Sequence, residues 1–158
     1  MADTVKVQVH EVKVAGVKTG DYHASIRITP NNQERWKGDP RFSKRDAQGR
    51  AFVTLGAEPS GPGRLVSSLD RPTDVAANQT SAVVPTPGGE DAAIESLLQG
   101  DANYKDDAVY TFFPETQGGY NSNSYVAGIL QAAGLHRPVF PLSMPGYVTP
   151  LPANYFQP

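Results

Sequence analysis

Three side chains in this sequence are of the types that acyl-transfer chemistry needs. Ser122 lies in Asn121-Ser122-Asn123-Ser124, four polar residues directly before an apolar run at helical spacing. His23 stands near the head of an alternating stretch from Tyr22 to Thr29, on its polar face with Ser25 and Arg27. Thr54 sits in the next strand-like run, with Glu58 just beyond it. A hydroxyl nucleophile needs a base within hydrogen-bond reach and a third group that fixes the tautomer of that base. Ser122, His23 and Thr54 are the candidates for those roles, with Ser124 a second-choice hydroxyl. A helix start adds free backbone N–H groups and the positive end of the dipole, both suited to a developing oxyanion. Tyr120, Asn121 and Asn123 flank the hydroxyl and are the candidate substrate-binding residues. The four polar residues are equally ordinary helix caps, and both roles stay open at this level.

The elements that must position these groups follow from periodicity. Tyr125, Val126, Ile129, Leu130 and Ala133 predict a helix over 124–133, ended by Gly134 in the left-handed position. Val5 to Val14 alternates and reads as a half-buried strand, with Gly16 and Gly20 in the turn that follows. Ala51 to Ala57 is a third strand, expected beside the His23 strand because sequential strands are usually neighbours. Arg64 to Ser68 reads as a fourth strand, Asp70 to Asp74 as a corner and Ala76 to Gly89 as a loop. Ile94, Leu97 and Leu98 predict a second helix near 92–99, with Glu90 and Asp91 at its positive end. Val109 to Phe113 is short, aromatic and extended, ended by Pro114. Asn31 to Arg50 is a long polar loop pinned by Trp36 and Phe42, in the place of a substrate-side flap. The proline-rich tail 137–158 cannot be regular helix, and its apolar residues predict a strap packed on the body.

The expected whole is one α+β domain over 1–158, an antiparallel sheet packed against the 124–133 helix and the 92–99 helix. A length of 158 residues with 39% hydrophobic content suffices for one core. With 14 basic and 16 acidic side chains, there is no electrostatic reason to expect nucleic acid or an anionic membrane as partner. The chain has no cysteine, which excludes disulfides and thiolate zinc sites. His10 and His136 have no ligand-type neighbour at metal spacing, so no metal and no cofactor is expected. Gly56 to Gly63 is glycine-rich but lacks the lysine and hydroxyl residue of a phosphate loop, and reads as a turn. The N-terminus alternates polar and apolar residues, unlike a signal peptide or a membrane span. Export by a signal-peptide-independent route, or residence in the cytoplasm before delivery, is the matching expectation.

His23 in Asp21-Tyr22-His23-Ala24-Ser25-Ile26-Arg27-Ile28, followed much later by Asn121-Ser122-Asn123-Ser124-Tyr125 at a helix start, resembles the circularly permuted branch of the papain-like superfamily. That branch includes lecithin:retinol acyltransferase-like and NlpC-related hydrolases. Its members place histidine first, on a strand, and a nucleophilic cysteine later, at a helix start. The stretch from Tyr104 to Gly134, with the closing Pro150 to Phe156, is also similar to C-terminal domains of bacterial polymorphic and secretion-system toxins. The resemblance implies a permuted papain-like fold with His23 as base and Ser122 in the place of the cysteine. Serine there implies a serine variant of the hydrolase, a chain whose cysteine has been replaced, or a scaffold that kept the fold without activity. It further implies a bacterial effector that cleaves or transfers an amide or ester, with a peptide, peptidoglycan or a lipid ester as substrate and a cognate immunity protein as partner. The competing expectation is a non-catalytic interaction module that uses the tail or the Asn31 to Arg50 loop. The separation of the Ser122 hydroxyl from the His23 ring discriminates the two.

Overall fold

The N-terminal alternation folds as a hairpin. In the computed structural model, which describes residues 4–61, 63–76 and 80–158, β1 (Val5–Val14) pairs antiparallel with β2 (Val17–Ile28). Ala15 and Gly16 both take positive φ in the turn, the twist that a two-residue hairpin loop requires. Gly20 lies not in that turn but inside β2, opposite a register shift between Glu11 and Lys13 that marks a bulge.

The long loop that follows contains one helical turn, α1 (Gln33–Trp36), and a two-residue strand, β3 (Lys44–Arg45), with Trp36 and Phe42 buried as its anchors. β4 (Ala51–Ser60) pairs with β2 as expected and then with β5 (Arg64–Leu69). The corner at Asp70 contains a short helix, α2 (Pro72–Ala76), whose proline occupies the first position, where no N–H is needed. The expected loop after Ala76 contains an unforeseen strand, β6 (Thr80–Val83), which pairs with β1 at the sheet edge. Its side chains bury little, so no alternation marks it. Pro62 of the expected turn and residues 77–79 of the expected loop lie outside the described residues.

Helix α3 (Glu90–Asn103) extends the expected 92–99 segment at both ends. β7 (Ala108–Val109) and α4 (Pro114–Gln117) lead into α5 (Ser122–Ala132). The sheet runs β6-β1-β2-β4-β5-β7, with β3 also on β4, and every strand pair is antiparallel. The fold is therefore α+β.

The two faces of this sheet differ. One presents Val5, Val7 and Val9, Ala24, Ile26 and Ile28, and Val53, Leu55 and Ala57, all fully buried. Against it packs α5 through Tyr125, Val126, Ile129 and Leu130, each burial contributing about 1.5–3 kcal/mol. The tail crosses α5 where Gly128 leaves room: a Cβ there would lie 2.4 Å from the Leu151 carbonyl oxygen. The Leu151 N–H donates to Ser124 O (3.0 Å), and a 3-10 turn at Ala153–Phe156 packs on α3 and α5. The opposite face carries Gln8, His23, Ser25 and Thr54, buried although polar, beneath α2.

Candidate active site

Helix α5 starts two residues earlier than periodicity predicts, so Ser122 is its first helical residue and Asn121 its cap. Asn121 Oδ1 accepts from the N–H groups of Asn123 and Ser124 (both 3.0 Å), and Ser124 Oγ accepts from the Asn121 N–H (3.2 Å). This is a reciprocal capping box, worth about 0.5–2 kcal/mol for the Asn121 side chain alone. It settles the two hydroxyls. Ser124 is fully buried and committed to the cap, whereas Ser122 is partly exposed at the helix start. The Ser122 N–H is left without a partner among the described residues, at the positive end of the dipole.

Asn123 aligns that helix with the histidine strand. β4 pairs with β2 only from Ile26 to Ile28 and then continues along β5, so among the described residues the β2 edge from His23 to Ser25 lacks a strand partner on that side. The Asn123 amide takes that place. Its Oδ1 accepts from Ala24 N–H (2.7 Å), and its Nδ2 donates to Tyr22 O (2.8 Å). The two bonds straddle His23. The helix that carries the hydroxyl is thus locked to the backbone on either side of the imidazole.

The His23 ring reaches through this gap. Nδ1 lies 2.7 Å from Ser122 Oγ, and Nε2 lies 3.2 Å from Asp74 Oδ1. In the Ser-His-Asp arrangement of serine proteases it is Nε2 that faces the serine, so the ring nitrogens here exchange roles. Asp74, the third member, is completely buried on α2. Its backbone is held from below: Gln8 Nε2 donates to Asp74 O (2.6 Å), and Arg27 Nη2 donates to Val75 O (2.6 Å). Its carboxylate lies over Gly56 of β4, where an added Cβ would be 2.7 Å from Oδ2. Gly56, read as the start of a turn, is the opening that admits the carboxylate.

Arg71 closes the site from the other side. Its Nη1 pairs with Glu58 Oε2 (3.0 Å), its Nε lies 3.4 Å from Asp74 Oδ2, and its Nη2 lies 2.9 Å from His23 Nε2. His10 lies directly opposite His23 across the hairpin, ring centroids 4.8 Å apart. Burial first, and the neighbouring His23 and Arg71 charges after it, push the His10 pKa down to about 4 against the pull of Asp74. His10 is therefore neutral at neutral pH. Ligand atoms of His10, His23 and Asp74 all lie within 4.8 Å of one another, a metal-type cluster that sequence spacing did not reveal. The Arg71 guanidinium already supplies the positive charge there, and a metal ion would have to displace it.

His10, His23, Arg71 and Ser122 line a cleft of about 620 Å³ whose walls include Tyr22, Pro59, Tyr110, Phe112 and Pro145. Of the residues singled out from sequence, His23 and Ser122 meet. Thr54 does not join them: the β2–β4 register sets it opposite Arg27, and its N–H and hydroxyl turn to Asp70 Oδ1 (2.8 and 3.4 Å). Glu58 touches Arg71 rather than the ring. Asn121 and Asn123 reach the cleft wall, but their amides are bonded within the fold, Asn121 Nδ2 donating to Phe112 O and Pro145 O. Tyr120 does not itself line the cleft: it stacks edge-on with Tyr155 and bridges to Tyr110, which does. The Asn31 to Arg50 loop sends Trp36 and Arg41 to a separate hollow of about 550 Å³ beside α3, not to the cleft. Among the described residues no helix is long and apolar enough to cross a membrane. Comparison with protein-family models, with curated proteins and with solved structures returns no match.

Proposed function

We propose that this domain is a papain-like hydrolase or acyltransferase of the permuted type, acting on an amide or ester bond. Ser122 is the nucleophile, His23 the base and Asp74 the group that orients the base. The observation that carries the reading is the 2.7 Å approach of Ser122 Oγ to His23 Nδ1 across 99 positions of sequence. A pure capping serine would not need an imidazole there, and a structural histidine would not need to face a cleft.

In the reaction, Ser122 gives its proton to Nδ1 as Oγ attacks the substrate carbonyl. Nε2–H donates to Asp74, which holds the resulting imidazolium. The Ser122 N–H faces the oxyanion from the helix start. The leaving group then takes the proton from Nδ1, and water or an acceptor hydroxyl or amine resolves the acyl-serine. The apolar cleft walls favour a substrate with apolar groups beside the carbonyl, and peptide, peptidoglycan and lipid-ester substrates all remain within the reading. The biological setting, a bacterial effector held by an immunity protein, rests on the sequence resemblance.

A serine-reactive fluorophosphonate tests this directly. The parent chain should label at Ser122, and Ser122→Ala and His23→Ala should not. A folded parent chain that stays unlabelled at high probe concentration would count against the enzyme. Ser122→Cys should react rapidly with an alkylating probe, because the same base and helix start favour a thiolate.

A further inference from the structure

His23 Nε2 has two neighbours that make opposite demands. Asp74 Oδ1, at 3.2 Å, can only accept a hydrogen bond, so it requires a proton on Nε2. Arg71 Nη2, at 2.9 Å, can only donate, so it requires Nε2 bare. A neutral imidazole carries one proton, and cannot satisfy both.

The choice propagates to Ser122. With the proton on Nε2, Nδ1 is bare and accepts from the Ser122 hydroxyl, which is the arrangement a general base needs. With Nε2 accepting from Arg71, the proton sits on Nδ1 and points at Ser122 Oγ, and no base faces the nucleophile. Arg71 is well placed to hold the second state. Its side chain is only 14% exposed, pinned by Glu58 Oε2 and by Ala57 O (3.2 Å). Each state leaves one charged group short of a hydrogen bond. In the first an Arg71 N–H loses its acceptor, and in the second the buried Asp74 Oδ1 has no donor, its Oδ2 already lacking one. The contact to Arg71 is the shorter of the two, 2.9 against 3.2 Å.

We infer that Arg71 is a positioning residue that sets the tautomer of His23, holding the free site with its ring proton on Nδ1 and Ser122 unactivated. Activation moves the guanidinium off Nε2, toward Glu58 and the cleft mouth. One proton then leaves Nδ1 for water and one returns from water to Nε2, with no change in net charge. Asp74 takes the new N–H, and the Ser122 hydroxyl turns to donate to Nδ1. A substrate that contacts Arg71 as it enters the cleft would trigger its own catalysis. The inference rests on Ser122 and His23 acting as nucleophile and base, but the state of the ring can be read without any reaction.

The experiment is nitrogen-15 NMR of the histidine rings in the full chain at neutral pH, for the parent and for Arg71→Met, with fluorophosphonate labelling measured alongside. The parent should show His23 Nε2 unprotonated and Nδ1 protonated. Arg71→Met should show the reverse, and its labelling of Ser122 should rise at least about tenfold. A parent ring protonated on Nε2, or on both nitrogens, overturns the inference, and needs no variant to fold. A tautomer unchanged in a folded Arg71→Met overturns it as well. If the tautomer reverses but neither protein labels, the role of Arg71 stands and the hydrolase reading fails.

Discussion

The two faces of the central sheet bury side chains of opposite kinds. Under α5 the buried groups are Val5, Val7, Ile26, Ile28, Val53 and Leu55, which any neighbour of similar shape could satisfy. Under α2 they are Gln8, His23, Ser25, Thr54 and Asp74, each of which needs a particular partner at hydrogen-bond distance. Apolar burial is non-directional and roughly proportional to area, so the first face stabilises the fold without specifying anything beyond packing. A buried polar group left unpaired costs about 1–3 kcal/mol, so the second face is stable only in arrangements that pair its groups. The polar face, poorer as a source of stability, is the one that fixes the imidazole.

The sharpest way to break this division is to damage each face and read both stability and reactivity. His23→Ala should lower fluorophosphonate labelling of Ser122 by about 10²–10⁴-fold, with a loss of about 1–3 kcal/mol of stability because the buried Asp74 Oδ1 loses its partner. Leu55→Ala, in the dry face, should cost about 2–5 kcal/mol of stability and leave the labelling rate of the folded fraction near that of the parent. Equal losses of both properties in both variants would mean that the faces are not separable.

Asn123→Ala probes the junction between them. It leaves Ala24 N–H and Tyr22 O without their amide partners, at about 1–3 kcal/mol of stability, and frees β2 to shift against α5. A displacement of about 1 Å is enough to lower labelling by about 10²-fold, so reactivity should fall more than stability. Labelling at the parent rate would show that the helix and strand are registered by packing alone. Gly56→Ala is a finer change: the new methyl meets Asp74 Oδ2 and pushes the carboxylate from the ring. Labelling should fall about tenfold, and Asp74→Ala in the same background should add little, because both act through one contact. A full additive loss would place Asp74 outside the path from Gly56 to His23.

The parts of this arrangement that depend on local pattern were legible in the sequence. The strands around Val7, Ile26 and Val53 and the helix at Tyr125 to Leu130 each repeat with the period of their element, and His23 and Ser122 are marked by type and by position at an element start. Asp74 was not legible as a site residue. It lies on a five-residue helix with no period, and its approach to His23 depends on β4 leaving β2 and on the absence of a side chain at Gly56. The pairing of His10 with His23 was hidden for a different reason. The turn register at Val14 and Val17, extended straight, would set His10 opposite Asp21, and the bulge between Glu11 and Lys13 moves it two residues on. The capping residues Asn121 and Asn123 are candidates for substrate contact in the sequence because a free amide and a committed one look alike there.

The smallest expected effect belongs to His10, the half-buried member of the polar face. Its pKa is lowered from 6.5 to about 4 in the folded chain, chiefly by burial, so the unfolded chain binds a proton there more readily than the folded one. Its contribution to stability is therefore complete above the unfolded value and is lost as pH falls from about 6.5 towards 4. Solvent at the partly open ring reduces the magnitude to on the order of 1 kcal/mol over that window. His10→Phe keeps the ring contact with His23 and removes the titration. Urea midpoints measured between the two pH values should fall less steeply for the variant than for the parent. Parallel slopes would remove His10 from the linked groups of the polar face.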